Sequence, residues 1–187
     1  MRHQLLVTEP IPGVASNHAI CRVREARVYV RPSGGGLLLG GYENDPMVVS
    51  QDEVTTTFSV DRLELDAGVL RRLANLVGRI FPDLVDARLR VVRGGIPTMT
   101  PDGWPLIGPA PGIDGLFVAG GCNVGGFSIS PAVGELLTAW ILTGRCPDLL
   151  KPFRADRFGA WPDDASLRAV SLDRWRDHYR PGPTRSI

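Results

Sequence analysis

The chain reads as a mixed α+β or α/β protein in which part of an antiparallel or mixed sheet, with one covering helix, is followed by a strand, a glycine-rich loop and a second helix. Three observations predict this class. Arg27 to Arg31 and Leu37 to Tyr42 flank Ser33-Gly-Gly-Gly36, the pattern of a hairpin with a loop of about 4 residues. Val69, Leu70, Leu73, Leu76, Val77, Ile80 and Phe81 recur at helical spacing. Leu116-Phe-Val-Ala119 is wholly apolar and runs directly into Gly120-Gly-Cys-Asn-Val-Gly-Gly126.

In chain order, Gln4 to Thr8 and the two hairpin arms are strands that begin a sheet, and the β-branched Thr55 to Val60 is expected as another. Asp66 has the chemistry of a helix N-cap and Pro82 stops the helix that follows, whose apolar face lies on the sheet. Arg88 to Val92 is a strand. Gly94 to Gly115 holds five prolines and is expected as an ordered loop. Leu116 to Ala119 has the pattern of a strand buried on both faces. In the next helix, Ser130 is expected as N-cap, Pro131 as first helical residue, Val133, Leu136, Leu137, Trp140 and Ile141 as the apolar stripe, and Gly144 as the stop. Leu167, Val170, Trp175 and Tyr179 mark a peripheral helix in the charged tail.

Composition narrows the function. Of 187 residues, 43% are apolar, enough for a packed core, and 21 Lys plus Arg nearly balance 20 Asp plus Glu. That balance gives no electrostatic footprint for nucleic acid and no polybasic membrane anchor. No apolar run reaches membrane-spanning length, and the short apolar run at the start does not make a signal peptide. Cys21, Cys122 and Cys146 are widely spaced and lack metal-ligand or redox spacing, so they read as reduced thiols in a cytoplasmic protein, with no metal. His3, His18 and His178 are scattered, support no hydrolytic triad, and read as surface or packing residues.

The glycine segment Gly120 to Ser128 is the strongest functional candidate. A strand-loop-helix junction aims unpaired backbone N–H groups at an anionic or electron-rich ligand, and glycine lets such a ligand approach the main chain. The bland alternative is a tight connection that needs glycine only for positive φ. No G-x-G-x-x-G follows a strand, so the usual cradle for a dinucleotide pyrophosphate is absent from this sequence.

Together, Arg2-His-Gln-Leu-Leu-Val-Thr-Glu-Pro-Ile-Pro12, Val28-Tyr-Val-Arg-Pro32, Gly36-Leu-Leu-Leu-Gly-Gly-Tyr-Glu43, Thr100-Pro-Asp-Gly103, Pro105-Leu-Ile-Gly108 and the glycine loop resemble the D-amino-acid oxidase-like superfamily of FAD-dependent oxidoreductases. Within it, the similarity is to sarcosine and dimethylglycine dehydrogenases, opine oxidases and glycine oxidases. The resemblance implies a partial substrate-binding domain over residues 1–85, the C-terminal part of an FAD-binding domain over 86–150, and a peripheral tail over 151–187. It also implies a C-terminal half that needs an N-terminal FAD-binding half or partner subunit.

By the same resemblance, Gly120, Gly121, Asn123, Val124, Gly125, Gly126, Phe127 and Ser128 bind the flavin edge of a non-covalently held FAD whose site is incomplete in this chain. Ser128 stands where sarcosine oxidases carry a lysine near the flavin, which favours a dehydrogenase over an oxidase. The cysteine that some members use for covalent attachment aligns with Gly95, and Cys122 reads as packing. Tyr29, Arg31, Tyr42 and Arg93 are the substrate-side candidates, offering phenols and guanidiniums to a small amine or amino acid. The glycine-oxidase arginine is replaced by Pro97, and a tryptophan common in relatives by Arg93. The implied reaction is oxidation of the C–N bond of a secondary or tertiary amine or amino acid. The alternative is a truncated or non-catalytic subunit; a small module binding some other anion is a third reading.

Overall fold

The computed structural model describes residues 1–159 and 163–179. They form two compact units, Met1–Ile96 together with Arg176 onward, and Pro97–Trp175. The first compact unit extends past residue 85, because the strand that follows pairs within it.

The first unit is built on a five-stranded antiparallel sheet of order β2-β3-β4-β1-β5. Its strands are β1 (His3–Thr8), β2 (Cys21–Val23), β3 (Val28–Ser33), β4 (Gly36–Gly41) and β5 (Leu89–Gly95). β2 carries no signal in the sequence, and the hairpin loop is shorter than expected, since Ser33 pairs directly with Gly36. One face is covered by α1 (Ala67–Leu76), whose N-terminus is fixed as predicted: the Asp66 carboxylate accepts from the Val69 N–H at 3.1 Å. Leu6, Val28, Val30 and Leu39 from the sheet pack with Val69, Leu70, Leu73, Ala74 and Val77 from the helical side. The helix is shorter than its periodicity suggested, and Leu76 and Ile80 are exposed. Thr55 to Val60 is no strand; it forms turns leading into a 3-10 turn at Val60–Arg62, because β propensity without a pairing partner does not make a strand.

The second unit holds a two-stranded antiparallel ribbon, β6 (Leu106–Pro109) with β7 (Phe117–Gly120), and two helices, α2 (Gly126–Thr143) and α3 (Asp164–Arg176, its last residue counted with the first unit). Ile107, Trp140 and Leu150 form its core, with Phe117, Leu136 and Leu137 against them. The expected loop Gly94 to Gly115 therefore contains a strand. The expected burial of Leu116 to Ala119 on both faces is not observed: Leu116 is 44% exposed and Ala119 is exposed.

Helix α2 begins four residues before the predicted Ser130 cap, and Pro131 lies inside it. A proline at 131 cannot donate to the carbonyl of residue 127. The Ser130 hydroxyl takes that place, donating to the Phe127 carbonyl at 3.1 Å. Gly144 ends the helix in the left-handed conformation, as predicted.

Gly108 sits at φ +128, where a Cβ would stand 2.7 Å from the Trp140 ring. Gly108→Ala therefore destabilises the second unit by about 1–3 kcal/mol. The expected reading is a lower denaturant midpoint followed by tryptophan fluorescence.

Candidate functional site

Two places carry the predicted residues, one in each unit. In the first unit, strand register sorts the sheet into faces. Arg22, Tyr29, Gly40, Leu5 and Arg93 stand opposite one another across the five strands. Cross-strand partners share a face, and this row lies on the side away from α1. Arg31, two residues from Tyr29, lies on the same side. All four substrate-side candidates belong to this face, since Tyr42 follows β4 and stacks on His3 with ring centroids 5.1 Å apart.

Their environments differ. The Tyr29 ring lies flat over Gly40, where a Cβ would come within 2.3 Å of the phenol oxygen. Crossing β4 in this way carries the phenol to β1, where its oxygen is 3.1 Å from His3 Nε2. Arg31 and Arg93 are exposed, and Arg31 donates to the Pro32 carbonyl at 3.1 Å. Tyr42 is only 4% exposed. It is sandwiched between His3 and His178, the latter with ring centroids 4.1 Å apart, and meets Tyr179 edge-on. Tyr42 is thus the buried middle ring of the cluster, and His3 and His178, read from sequence as surface or packing residues, pack against it.

Burial, then the neighbouring His178, lowers the His3 imidazole to about 4. Burial, then Arg22, lowers His178. Burial also raises the phenols of Tyr29, Tyr42 and Tyr179. At neutral pH the cluster is a neutral, hydrogen-bonded aromatic surface rimmed by Arg22, Arg31 and Arg93.

In the second unit, β7 delivers the chain into the glycine loop, and the loop opens α2. Asn123 and Val124 are held at φ +46 and +65, strained for residues with a side chain. Asn123 secures the loop. Its Oδ1 accepts from Thr100 N–H at 2.9 Å, its Nδ2 donates to Thr100 Oγ1 at 2.9 Å and to the Gly121 carbonyl at 2.5 Å, and its own N–H donates to the Thr98 carbonyl at 3.2 Å. The Asn123 side chain is therefore turned inward, while Phe127 is 97% exposed and Ser128 is exposed.

Thr100 is itself held, donating to the Trp104 carbonyl at 2.8 Å. Asp102 takes a two-point hydrogen bond from Arg157, at 2.8 and 2.9 Å. Burial acts to raise the Asp102 carboxyl, but the bonds from Arg157 and from the Trp104 N–H outweigh it and hold the group below its usual value. The motif around Thr100-Pro-Asp-Gly103 is thus a brace under the loop. Cys122 is half-buried and unbridged. Among the described residues no group of three or more His, Cys, Asp or Glu side chains could hold a metal ion, and no helix is long and apolar enough to cross a membrane.

The depressed imidazoles have a consequence for stability. The folded first unit binds fewer protons at His3 and His178 than the unfolded chain does, so their contribution is complete above the free-histidine value of 6.5 and is lost as the pH falls toward 4. Denaturation curves between pH 7 and pH 4 should show unit 1 weakening through that window, and His3→Gln should flatten the fall.

Comparison with known proteins places these features. The DAO family, described as FAD dependent oxidoreductase, matches residues 1–140. Mitochondrial sarcosine dehydrogenase of Homo sapiens is 34% identical over 146 residues, covering 78% of this chain and 16% of that protein. Mitochondrial dimethylglycine dehydrogenase of Homo sapiens is 30% identical over 169 residues, covering 86% of this chain and 19% of that protein. Among solved structures, L-proline dehydrogenase from P. horikoshii superposes with a TM-score of 0.65 at 24% identity, over 84% of this chain and 39% of its own. The chain therefore spans less than a fifth of the length of these curated relatives. The match over residues 1–140, with the identity to sarcosine dehydrogenase across most of the chain, establishes that this chain belongs to the DAO family of FAD-dependent oxidoreductases.

Proposed function

We propose that the chain supplies the amine-facing sheet and the flavin-facing loop of an FAD-dependent oxidoreductase that oxidises the C–N bond of a secondary or tertiary amine or amino acid, and that it works as a dehydrogenase. The observation that supports this best is the His3–Tyr29 pair, a phenol tied to a neutral imidazole on the sheet face that α1 leaves uncovered. Two of the similar curated proteins are named as dehydrogenases, of sarcosine and dimethylglycine, while a similar solved structure is named as glycine oxidase. The absence of a cation at Ser128 agrees with that reading.

The residues fit one end of FAD. Gly120 has open space where a Cβ would stand, and Gly125 and Gly126 lead into the first turn of an 18-residue helix. With Asn123 turned inward and its N–H, like those of Gly125 and Ser128, bonded within the protein, the donors on which this reading relies are the other main-chain N–H groups where the loop opens α2, a donor set suited to a flat accepting ring edge. No strand followed by G-x-G-x-x-G is present in the sequence to hold the pyrophosphate. When bound, FAD would supply the two-electron acceptor for oxidation of the substrate's C–N bond to an imine or iminium, which water would hydrolyse.

The chain's own groups bind and orient. His3, titrating at about 4, lies about six units below an alkylammonium such as the lysine side chain, so it is a poor acceptor for the substrate's proton. Its service is to hold the Tyr29 hydroxyl by hydrogen bonding, leaving the phenol oxygen directed toward a substrate N–H. Arg31 and Arg93 are the guanidiniums available to a carboxylate. Arg31 is favoured, because its charge already acts on Tyr29.

An N-methylated amino acid added to the full chain with FAD should shift the ring resonances of His3 and Tyr29, and Tyr29→Phe should weaken that binding by about 10-fold or more. A wild-type chain whose aromatic resonances ignore every such amine would refute the proposal.

A second reading, a subunit that works only with a partner carrying the nucleotide-binding half, is favoured by the apolar surface of α2. Phe127 is 97% exposed, Leu142 is 79% exposed and Ile141 is also exposed. These residues lie at the two ends of the helix, and they would support the reading where a partner covered its length. On this reading the purified chain is colourless and self-associates, and flavin absorbance appears only on co-expression with a polypeptide bearing the phosphate fingerprint. A yellow, monomeric chain made alone would overturn it.

A further inference from the structure

The residues that bring His178 and Tyr179 onto the sheet lie beyond the 1–140 segment shared with the family. They are held by a set of contacts the proposed chemistry does not require. Arg24 donates from Nε and Nη2 to the Tyr179 carbonyl at 3.3 and 3.0 Å. Arg27 donates to the Arg176 carbonyl at 3.1 Å and to the Asn44 side chain. Arg176 in turn donates to the Asn44 carbonyl at 2.8 Å and pairs with Asp45 at 2.9 Å. The turn between β2 and β3 and the segment after β4 thus grip residues 176–179 from two sides. The result of that grip is a flat His178 ring on Tyr42, which itself lies on His3.

We infer that His178 is a positioning residue for the His3–Tyr29 pair: laid on Tyr42 by the gripped segment 176–179, it fixes the His3 imidazole through Tyr42 and keeps water from it. The inference rests on the role proposed above for that pair. Its physical basis is the stack His178–Tyr42–His3, with ring centroids 4.1 and 5.1 Å apart, followed by the 3.1 Å bond from His3 to Tyr29. Aromatic rings at these separations attract beyond their area of burial, so the outer ring restrains the inner two. Against His3 stand Tyr29 from β3, Tyr42 beyond β4 and His178 from the segment, with Tyr179 against Tyr42 and His178, and Arg31 and Arg93 on the same sheet face. Arg22 of β2 lies over the Tyr179 ring at 6.0 Å. Removing the outermost ring opens a water path to Tyr42 and His3, and the desolvation that depresses His3 is relieved.

The test follows the His3 ring resonances of the full chain through a pH titration, which needs neither cofactor nor substrate. Wild-type His3 titrates at about 4. His178→Ala should raise that midpoint by at least about one unit toward the free value. His178→Phe, which keeps a flat ring on Tyr42 but removes the charge that helps to lower His3, should raise it by clearly less than His178→Ala does. Arg24→Ala, an exposed change that loosens the grip on Tyr179 and spares the fold, should raise it in the same direction by less.

An unchanged midpoint in both His178→Ala and Arg24→Ala overturns the inference. So does an equal rise in His178→Ala and His178→Phe, which would assign the effect to charge repulsion from His178 rather than to the stack. In the amine-binding experiment, His178→Ala should raise the apparent Kd with Tyr29 still responsive. A chain that passes the titration yet ignores amines loses the proposed function but keeps the link from His178 to His3.

Discussion

Strand β1 hydrogen-bonds along both edges, to β4 and to β5, and its register with each decides which residues of the sheet lie under α1 and which face away from it. Leu6 meets Leu39 and Val92 on the helix side, while Leu5 meets Gly40 and Arg93 on the other. A slip of one residue would carry Leu6 out of the core and bring His3 and Leu5 beneath the helix. The apolar contacts of Leu6, Leu39, Leu70 and Leu73 therefore do more than stabilise the unit. By fixing parity they also put the phenol, the imidazole and the guanidiniums on one surface. Gly40 completes this arrangement, since any side chain there would occupy the volume of the Tyr29 ring.

The second unit solves a different problem, that of holding strained main chain still. Positive φ at Asn123 and Val124 has an energetic cost, offset by the hydrogen bonds that Asn123 makes with Thr98, Thr100 and Gly121. Asp102, anchored by Arg157, stiffens the turn from which Thr100 reaches the loop. Residues that look like a binding motif in the sequence thus act one step back from any ligand. They set the conformation of a loop that turns Val124, Phe127 and Ser128 outward.

What the sequence disclosed depended on whether the determining partner was near in the chain. The Asp66 cap, the hairpin around Gly34 and Gly35, and the Gly144 stop are local, and each was legible. Ser130-Pro131 is also local but ambiguous: it looks like a helix start, yet the hydroxyl serves a carbonyl that the proline leaves unpaired in mid-helix. Thr55 to Val60 has strand-forming residues but, among the described residues, no strand to pair with. Leu116 to Ala119 has the composition of a buried strand but, among the described residues, pairs only with β6.

The shared face of Tyr29 and Arg31 was legible from strand parity, but the place of His3 on that face was not. Its partners are 26, 39 and 175 positions away, and a lone histidine near a chain start gives no local sign of a cross-sheet stack. The inward turn of Asn123 was equally hidden, because it depends on a bond to Thr100 across 23 residues.

The manner in which residues 176–179 are attached has a consequence for variation. Arg24 and Arg27 hold main-chain carbonyls, those of Tyr179 and Arg176, and every amino acid presents the same carbonyl. The segment's placement is thereby largely independent of which side chains it carries at 177, 178 and 179. Substitutions there can remodel the aromatic wall beside Tyr42 without detaching the segment, so this short stretch can diverge rapidly while the sheet and the braced loop stay constant.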